Sequence, residues 1–142
     1  MFRTMNETKQ IEIEGVQFTI QVIKRKIFRK LTSELAQAKL EVAGFDEALT
    51  KEKLDQIQKE KPQEFFRATS KLSEVYFDFV RYGTLGHKDF KASNGQEIPF
   101  VKDGEAVSEE TLDHYDLNGF ILKLGTEVMA FNTLSEAERK NS

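Results

Sequence analysis

Two histidines that lie beside carboxylates are the residues whose types and spacing could support acid–base or metal chemistry. His87 is followed by Lys88 and Asp89, and His114 has aspartates nearby on both sides. A metal site needs three or four convergent ligands, and a general base needs a pocket that shifts its pKa. Neither cluster has an i, i+4 histidine pair or another familiar ligand spacing. We therefore interpret His87 as a turn residue and His114 as a surface residue of a helix.

Two glycines, Gly83 and Gly86, have a spacing that resembles part of a phosphate-binding loop. Such a loop follows a strand and opens a helix, where backbone N–H groups face the phosphate. Here the glycines follow a helical pattern, so we interpret both as helix termination. The chain has no cysteine, which excludes a disulfide scaffold, thiolate catalysis and cysteine metal sites. We expect a protein that is not an enzyme and has no cofactor and no metal.

Basic residues near the start of a predicted helix form the most coherent charged cluster. On a helix they share one stripe that lies away from Ile27 and Phe28; they are Arg25, Lys26, Arg29 and Lys30. Cations at a helix N-terminus oppose the macrodipole at a cost of about 0.3 to 1 kcal/mol each. Local stability does not explain the stripe, which is either a solvated face or a site for an acidic protein partner. Nucleic acid is not the expected partner, because no glycine-spaced aromatic platform accompanies the charges.

An aromatic-rich segment from Pro62 to about Tyr82 predicts the most apolar helix of the chain, with the proline at its first position. Its apolar residues are Phe65, Phe66, Leu72, Val75, Tyr76, Phe77, Phe79, Val80 and Tyr82. They cover an arc of about 220 degrees, against the roughly 100 degrees of an ordinary surface helix. The helix is therefore central to the core, or part of it is a groove or an interface for self-association.

The first third of the chain predicts a hairpin and helices. Residues Gln10 to Val22 alternate around Glu14-Gly15, which predicts a hairpin with its apolar side chains on one face. Residues Arg25 to Val42 have a helical period that stops at Gly44. A weaker, mostly charged helix is expected over Glu47 to Lys59.

The last third predicts a second reversal and a pair of helices. Asn94-Gly95 indicates a small hairpin over Phe90 to Phe100, and Ser108 is a good cap for the next helix. From Phe120 to Leu134 the apolar residues repeat at helical spacing, with Ile121, Leu124, Val128 and Phe131 on one face. Leu122 and Met129 form a second apolar line off that face.

These patterns predict an α+β fold with an N-terminal β-hairpin, about four α-helices and a small second β-hairpin near residues 90–100. The chain of 142 residues has the length of one domain, which we assign to residues 1–134, with a frayed tail at 135–142. No apolar run is long enough to cross a bilayer and no export signal is evident, so we expect no membrane association. The net charge of -3 favours no class of partner.

The order of motifs from residue 83 onward resembles the tail assembly chaperone family of long-tailed, siphovirus-like bacteriophages. The resemblance lies in Gly83 and Gly86 followed by Phe90, in the Asn94-Gly95 turn before Ile98-Pro99-Phe100, and in a terminal helix that ends in the motif N-x-L-S-E-x-E-R-K-N-S at residues 132–142. It covers residues 83–142, whereas the first half fits only in its layout of a hairpin followed by helices. At the position of His87, many relatives carry an aromatic residue, usually tryptophan.

By this resemblance the protein is expected to be non-catalytic and to bind the tape measure protein, keeping it soluble while tail-tube subunits polymerise around it. The major tail protein is a second expected partner. Such chaperones act in the host cytoplasm and are absent from the mature virion. Two alternatives stay open: a small phage or bacterial inhibitor of a host protein or nucleic acid, and a structural tail protein.

Partner binding of this kind requires apolar surface with a charged rim. The residues expected to contact the partner are Arg25, Lys26, Arg29, Lys30, Phe65, Phe66, Phe77, Leu122 and Met129. Formation of a homo-oligomer through the same apolar surface is a further alternative.

Overall fold

The computed structural model describes residues 3–43, 55, 59 and 62–133. Its elements, in chain order, are β1 (Thr8–Ile13), β2 (Val16–Gln21), α1 (Arg25–Ala43), α2 (Pro62–Gly83), β3 (Thr84–Lys88), β4 (Lys102–Asp103), β5 (Ala106–Val107), α3 (Glu109–Leu117) and α4 (Ile121–Asn132). Strands β1, β2 and β3 form an antiparallel sheet in that order, and β4 and β5 form a separate two-stranded sheet. The α+β class predicted from the sequence is confirmed.

The N-terminal hairpin has the register that its alternation predicts. Ile13 pairs with Val16 across the turn, and Glu14 and Gly15 have φ values of 51° and 84°. Two successive positive φ values are those of a type I′ turn, whose twist matches that of the two strands it joins. The apolar face of β2 is buried, with Phe18 and Ile20 inaccessible to solvent.

Strand β3 was not predicted, and it corrects two interpretations. Gly83 is the last residue of α2, as expected, but Gly86 lies within β3 opposite Thr19, so its assignment to helix termination is wrong. His87 is also a strand residue, paired with Phe18, and not a turn residue. The segment lacks the alternating apolar pattern of a strand, and its pairing with β2 contains an irregularity between Thr19 and Ile20. Its backbone partners, contributed by a distant hairpin, make it a strand.

The chain reverses at Asn94-Gly95 as predicted, with φ 84° at the glycine. Gly95 N donates to Ala92 O at 2.9 Å, and a single bridge pairs Lys91 with Glu97. The pairing extends no further in this segment. The second small sheet forms downstream, between β4 and β5.

Helix α3 begins where its predicted capping residue indicates. Ser108 Oγ accepts from Thr111 N at 3.2 Å at the start of α3, and Gly119, with φ 76°, separates α3 from α4. Helix α1 extends to Ala43. The helix stop predicted at Gly44 lies outside the described residues, as do Leu134, the tail at 135–142 and the helix predicted over residues 47–59 except for Asp55 and Lys59, which are helical.

One core joins the sheet and the helices. Helix α2 lies at its centre, because it packs against α1, against α4 and, more lightly, against α3 and β5. The buried residues include Phe18, Ile20, Leu31, Leu35, Val75, Phe79, Val80, Leu112, Tyr115, Leu124, Val128 and Phe131. The predicted apolar face of α4 is thus confirmed, and the aromatic surplus of α2 is explained in part by its contacts on several sides.

Candidate partner-binding surfaces

His87 is held by two hydrogen bonds inside an aromatic cluster. Its Nδ1 lies 2.6 Å from the hydroxyl of Tyr115 and its Nε2 lies 2.5 Å from the carbonyl oxygen of Ile98. A carbonyl only accepts, so Nε2 donates to Ile98 and Nδ1 accepts from Tyr115. The imidazole also packs nearly perpendicular to the rings of Phe90 and Phe100. Both ring nitrogens are used internally, which gives His87 a structural role.

The second histidine lies on α3, as predicted, and its side chain is half-buried. Within the described residues, no group of three or more His, Cys, Asp or Glu side chains could hold a metal ion. The same part of the chain contains no helix both long and apolar enough to span a bilayer.

Arg25, predicted as part of the basic stripe, is engaged within the protein. Its Nη2 donates to Asn132 Oδ1 at 2.5 Å and to Ile23 O at 2.9 Å, and its Nη1 donates to Asn132 O at 3.2 Å. The guanidinium also lies 4.5 Å from the ring centroid of Phe28. Burial lowers the pKa of Arg25, with a smaller contribution from the charge of Arg29. These carbonyl and amide acceptors offset the unfavourable placement of a cation at this helix N-terminus.

The rest of the stripe is exposed. Lys26, Arg29 and Lys30 point to solvent on α1, and Lys30 lies 4.0 Å from Glu34, a separation at the limit of an ion pair. Within the described residues, neither Lys26 nor Arg29 has an ion-pair partner. We call these three residues the basic patch.

The aromatic helix divides between core and surface. Phe79 and Val80 are buried, and Phe77 is half-buried against the core. Phe66 is 73% exposed, a large fraction for a phenylalanine. The side chain of Phe65 lies outside those that the structure describes.

A groove of about 360 Å³ runs between α2 and α4. Its walls are mainly apolar and include Leu72, Tyr76, Phe77, Ile121 and Leu122. Leu122 is 62% exposed. Within this set, Phe77 and Leu122 were predicted to bind a partner, and the structure brings them to one place. We call this feature the α2/α4 groove.

The groove continues at both ends into further depressions. Thr69 lines the groove and also the depression that contains Phe66. Leu122 lines the groove and also a depression formed with Ile11 and Ile13 of β1. Together they form one apolar band from the start of α2 to the edge of the sheet. Met129, predicted beside Leu122, packs against the core and is not among the residues that line the band.

The sequence did not predict that Leu72, Tyr76 and Ile121 line a surface groove. Each of them belongs to a helix face that also packs into the core. The one available signal was the wide apolar arc of α2. It exceeds what burial on one side requires.

A further depression lies between α1 and α2. Its charged lining residues are Glu34, Glu41, Glu74, Asp78 and Lys71, and Ala38 and Val75 also line it. Burial raises the pKa of Asp78, and the neighbouring Arg81 opposes that rise. Lys71 pairs with Glu41 at 3.2 Å, and Arg81 pairs with Asp78. Glu41 and Asp78 are thus paired, and we take the apolar band, which presents the exposed side chains of Phe66 and Leu122, as the stronger candidate.

No protein-family model matches the chain, and comparisons with curated proteins and with solved structures find no match.

Proposed function

We propose that this protein is a non-catalytic phage tail assembly chaperone, which binds the tape measure protein in the host cytoplasm and assists assembly of the tail tube. The observation that carries the proposal is the apolar band, in which Phe66 and Leu122 are 73% and 62% exposed. Exposed apolar patches of this kind mark binding surfaces. The motif resemblance over residues 83–142 supports the choice of partner.

The dimensions of the band suit an α-helix as ligand. Along α2, the distance from Phe66 to Phe77 corresponds to about 16 Å at about 1.5 Å per residue, or three helical turns. An amphipathic helix presents apolar residues at i, i+3, i+4 and i+7, which repeat over that length. Long helical segments of a tape measure protein supply such stripes many times, so a single shallow groove serves many segments.

Co-expression with the tape measure protein tests this proposal. We expect the wild-type protein to increase the soluble fraction of the tape measure protein, and the Phe66→Ser/Leu122→Ser variant to lose most of that effect. Leu40→Ser is the matched control, because Leu40 is 69% exposed on α1 and does not line the band. Equal loss of solubilisation in the control, or none in the double variant, would contradict the assignment of the band. No solubilisation by the wild type would contradict the function.

The basic patch supports a second candidate, an inhibitor that docks on an acidic host protein. Lys26 and Arg29 are exposed and have no ion-pair partner among residues 3–43 and 62–133. Charge reversal of Lys26, Arg29 and Lys30 separates the two functions. The chaperone retains tape measure solubilisation after this change, whereas an inhibitor loses its host target. Detection of the protein in purified virions would instead favour a structural tail protein.

A further inference from the structure

The apolar band is bordered by unequal charges. At its Leu122 end, the lining residues carry four carboxylates and one ammonium: Glu12, Glu14, Glu127, Asp116 and Lys123. All five side chains are exposed. At the Phe66 end, the lining residues carry two cations, Arg67 and Lys71, and one carboxylate, Glu74, and Lys71 also pairs with Glu41 outside the band. Along the band, the carboxylates are therefore concentrated around Leu122.

Pairing within the protein does not cancel this negative rim. Lys123 Nζ lies 3.2 Å from Glu14 Oε1, but the two side chains are 59% and 62% exposed. Such an exposed pair contributes little to stability, so Lys123 is free to rearrange when a ligand arrives. Glu12, Glu127 and Asp116 have no ion pair within the described residues.

From the apolar groove and its acidic rim, we infer that the ligand is a cationic amphipathic α-helix, which places lysine or arginine side chains beside its apolar stripe where it crosses Leu122. The apolar stripe enters the α2/α4 groove, and the cations face Glu12, Glu127 and Asp116. This inference rests on the proposed function and specifies which helices of the partner are bound.

Apolar contacts and charged contacts contribute to binding in different ways. Burial of the apolar stripe supplies most of the affinity, because it removes apolar surface from water. The carboxylates supply selectivity, because complementary charges attract the correct ligand and like charges repel the wrong one. An anionic helix with the same stripe meets uncompensated repulsion at the Leu122 end. Anionic polymers and anionic lipid surfaces are disfavoured there for the same reason.

Two designed helical peptides test the inference against the full-length protein. They share one leucine stripe at i, i+3, i+4 and i+7 and carry either lysines or glutamates on its flanks. At low ionic strength we expect the lysine peptide to bind about tenfold more tightly, and the difference to shrink at high salt, where exposed charges are screened. Isothermal titration calorimetry or fluorescence anisotropy measures both.

Variants locate the effect. Neutralisation in Glu12→Gln/Glu127→Gln is expected to remove most of the preference for the lysine peptide. Both peptides should still bind through their leucine stripe. Asp103→Asn is the matched control, since Asp103 is an exposed carboxylate of β4 and lies outside the band. Leu122→Ser is expected to weaken both peptides.

The outcomes distinguish failure of this inference from failure of the proposed function. Equal affinity for the two peptides, or a preference unchanged in Glu12→Gln/Glu127→Gln, overturns the inference, and the co-expression experiment still decides the function. Binding of neither peptide by a protein that does solubilise the tape measure protein overturns it as well. Concentration-dependent dimerisation that Leu122→Ser abolishes would show that a second copy occupies the groove, which also overturns it.

Discussion

The side chain of Asn132 links the last turn of α4 to residues near the start of α1 through hydrogen bonds. Its side chain is buried and accepts from Ile23 N at 2.7 Å, while its Nδ2 donates to Gln21 O at 3.2 Å and to Val128 O at 2.8 Å. Arg25 adds a second bond to the amide oxygen. The asparagine thus joins the end of α4 to the connection between β2 and α1, and it fixes the position of the first turn of α1.

Replacement of Asn132 by alanine is predicted to lower the free energy of unfolding by about 2 to 4 kcal/mol, because it removes the hydrogen bonds to the buried Ile23 N–H and to the half-buried Gln21 carbonyl. Urea denaturation followed by circular dichroism measures the change. Thr133→Ala is the control, since Thr133 is exposed and its hydroxyl donates to Met129 O at 3.0 Å. A loss for Asn132→Ala no larger than that of the control would show that water replaces the amide.

Tyr115 is the second residue whose polar atom is bound inside the core. The ring is buried, and its hydroxyl donates to His87 Nδ1. Burial raises the pKa of Tyr115 well above its ordinary value of 10.0. The folded state therefore keeps this proton at a pH where the unfolded state releases it. Stability is consequently lost as pH rises above the unfolded pKa.

Tyr115→Phe is predicted to cost about 1 to 2 kcal/mol at neutral pH through the lost hydrogen bond. Above about pH 10, the difference in unfolding free energy between wild type and variant should narrow by up to about 1.4 kcal/mol per pH unit. The reason is that only the wild type must keep Tyr115 protonated in its folded state. Parallel urea titrations from neutral to alkaline pH provide the measurement. A difference that stays constant or widens would contradict the buried, protonated hydroxyl.

At the scale of elements, glycines set how closely α2 and α4 approach. A Cβ built on Gly83 would lie 2.1 Å from Val128 Cγ1, and one built on Gly125 would lie 3.1 Å from the backbone oxygen of Tyr76. Both distances are shorter than a van der Waals contact. The two helices therefore pack through backbone at these points, and this close approach brings Leu72, Tyr76 and Ile121 together along the α2/α4 groove.

Gly83→Ala is predicted to destabilise the protein by about 1 to 3 kcal/mol through overpacking against Val128. Gly86→Ala is the control, because a Cβ there meets nothing within 4 Å, and its effect should stay within about 0.5 kcal/mol. Thermal unfolding of both variants and of Gly83→Ala/Val128→Ala measures the effect. The double variant should lose less than the sum of the two single changes, since the removed methyl groups make room. Strict additivity would contradict the steric explanation.

The secondary-structure elements differ in how well the sequence predicts them. Alternation and helical period predict β1, β2, α1, α2 and α4, because each of these patterns depends on residues that are close together in the chain. Strand β3 carries no such pattern. It follows α2 directly after Gly83 and becomes a strand only by pairing with β2, so no local signal could have revealed it.

At the scale of the whole molecule, a single buried cluster includes residues of the sheet and of all four described helices. Phe18 of β2 packs edge-to-face on both Tyr115 and Phe120, so the sheet and the α3–α4 pair share one aromatic centre. The partner surface is likewise composite, since the apolar band takes residues from α2, α4 and β1. Loss of any one of these elements removes part of the band.

This single core predicts one cooperative unfolding transition. Far-ultraviolet circular dichroism, which reports the helices, and tyrosine fluorescence, which reports the core in a chain without tryptophan, should give coincident curves. Leu35→Ala in α1 should shift both curves together and cost about 2 to 5 kcal/mol. An early change in circular dichroism that leaves tyrosine fluorescence unaltered would show that α1 unfolds as a separate unit.

The sequence by itself determined the class of fold, the N-terminal hairpin and its register, the cap at Ser108 and the buried face of α4. These features depend on residues close together in the chain, where spacing and side-chain type act directly. Only the tertiary structure placed His87 in a strand and joined Arg25 to an asparagine 107 residues away. It also placed Phe77 and Leu122 in one groove, beside carboxylates from β1 and α4. Contacts between distant segments depend on how elements pack, and packing is a property of several surfaces at once that no single periodic pattern specifies.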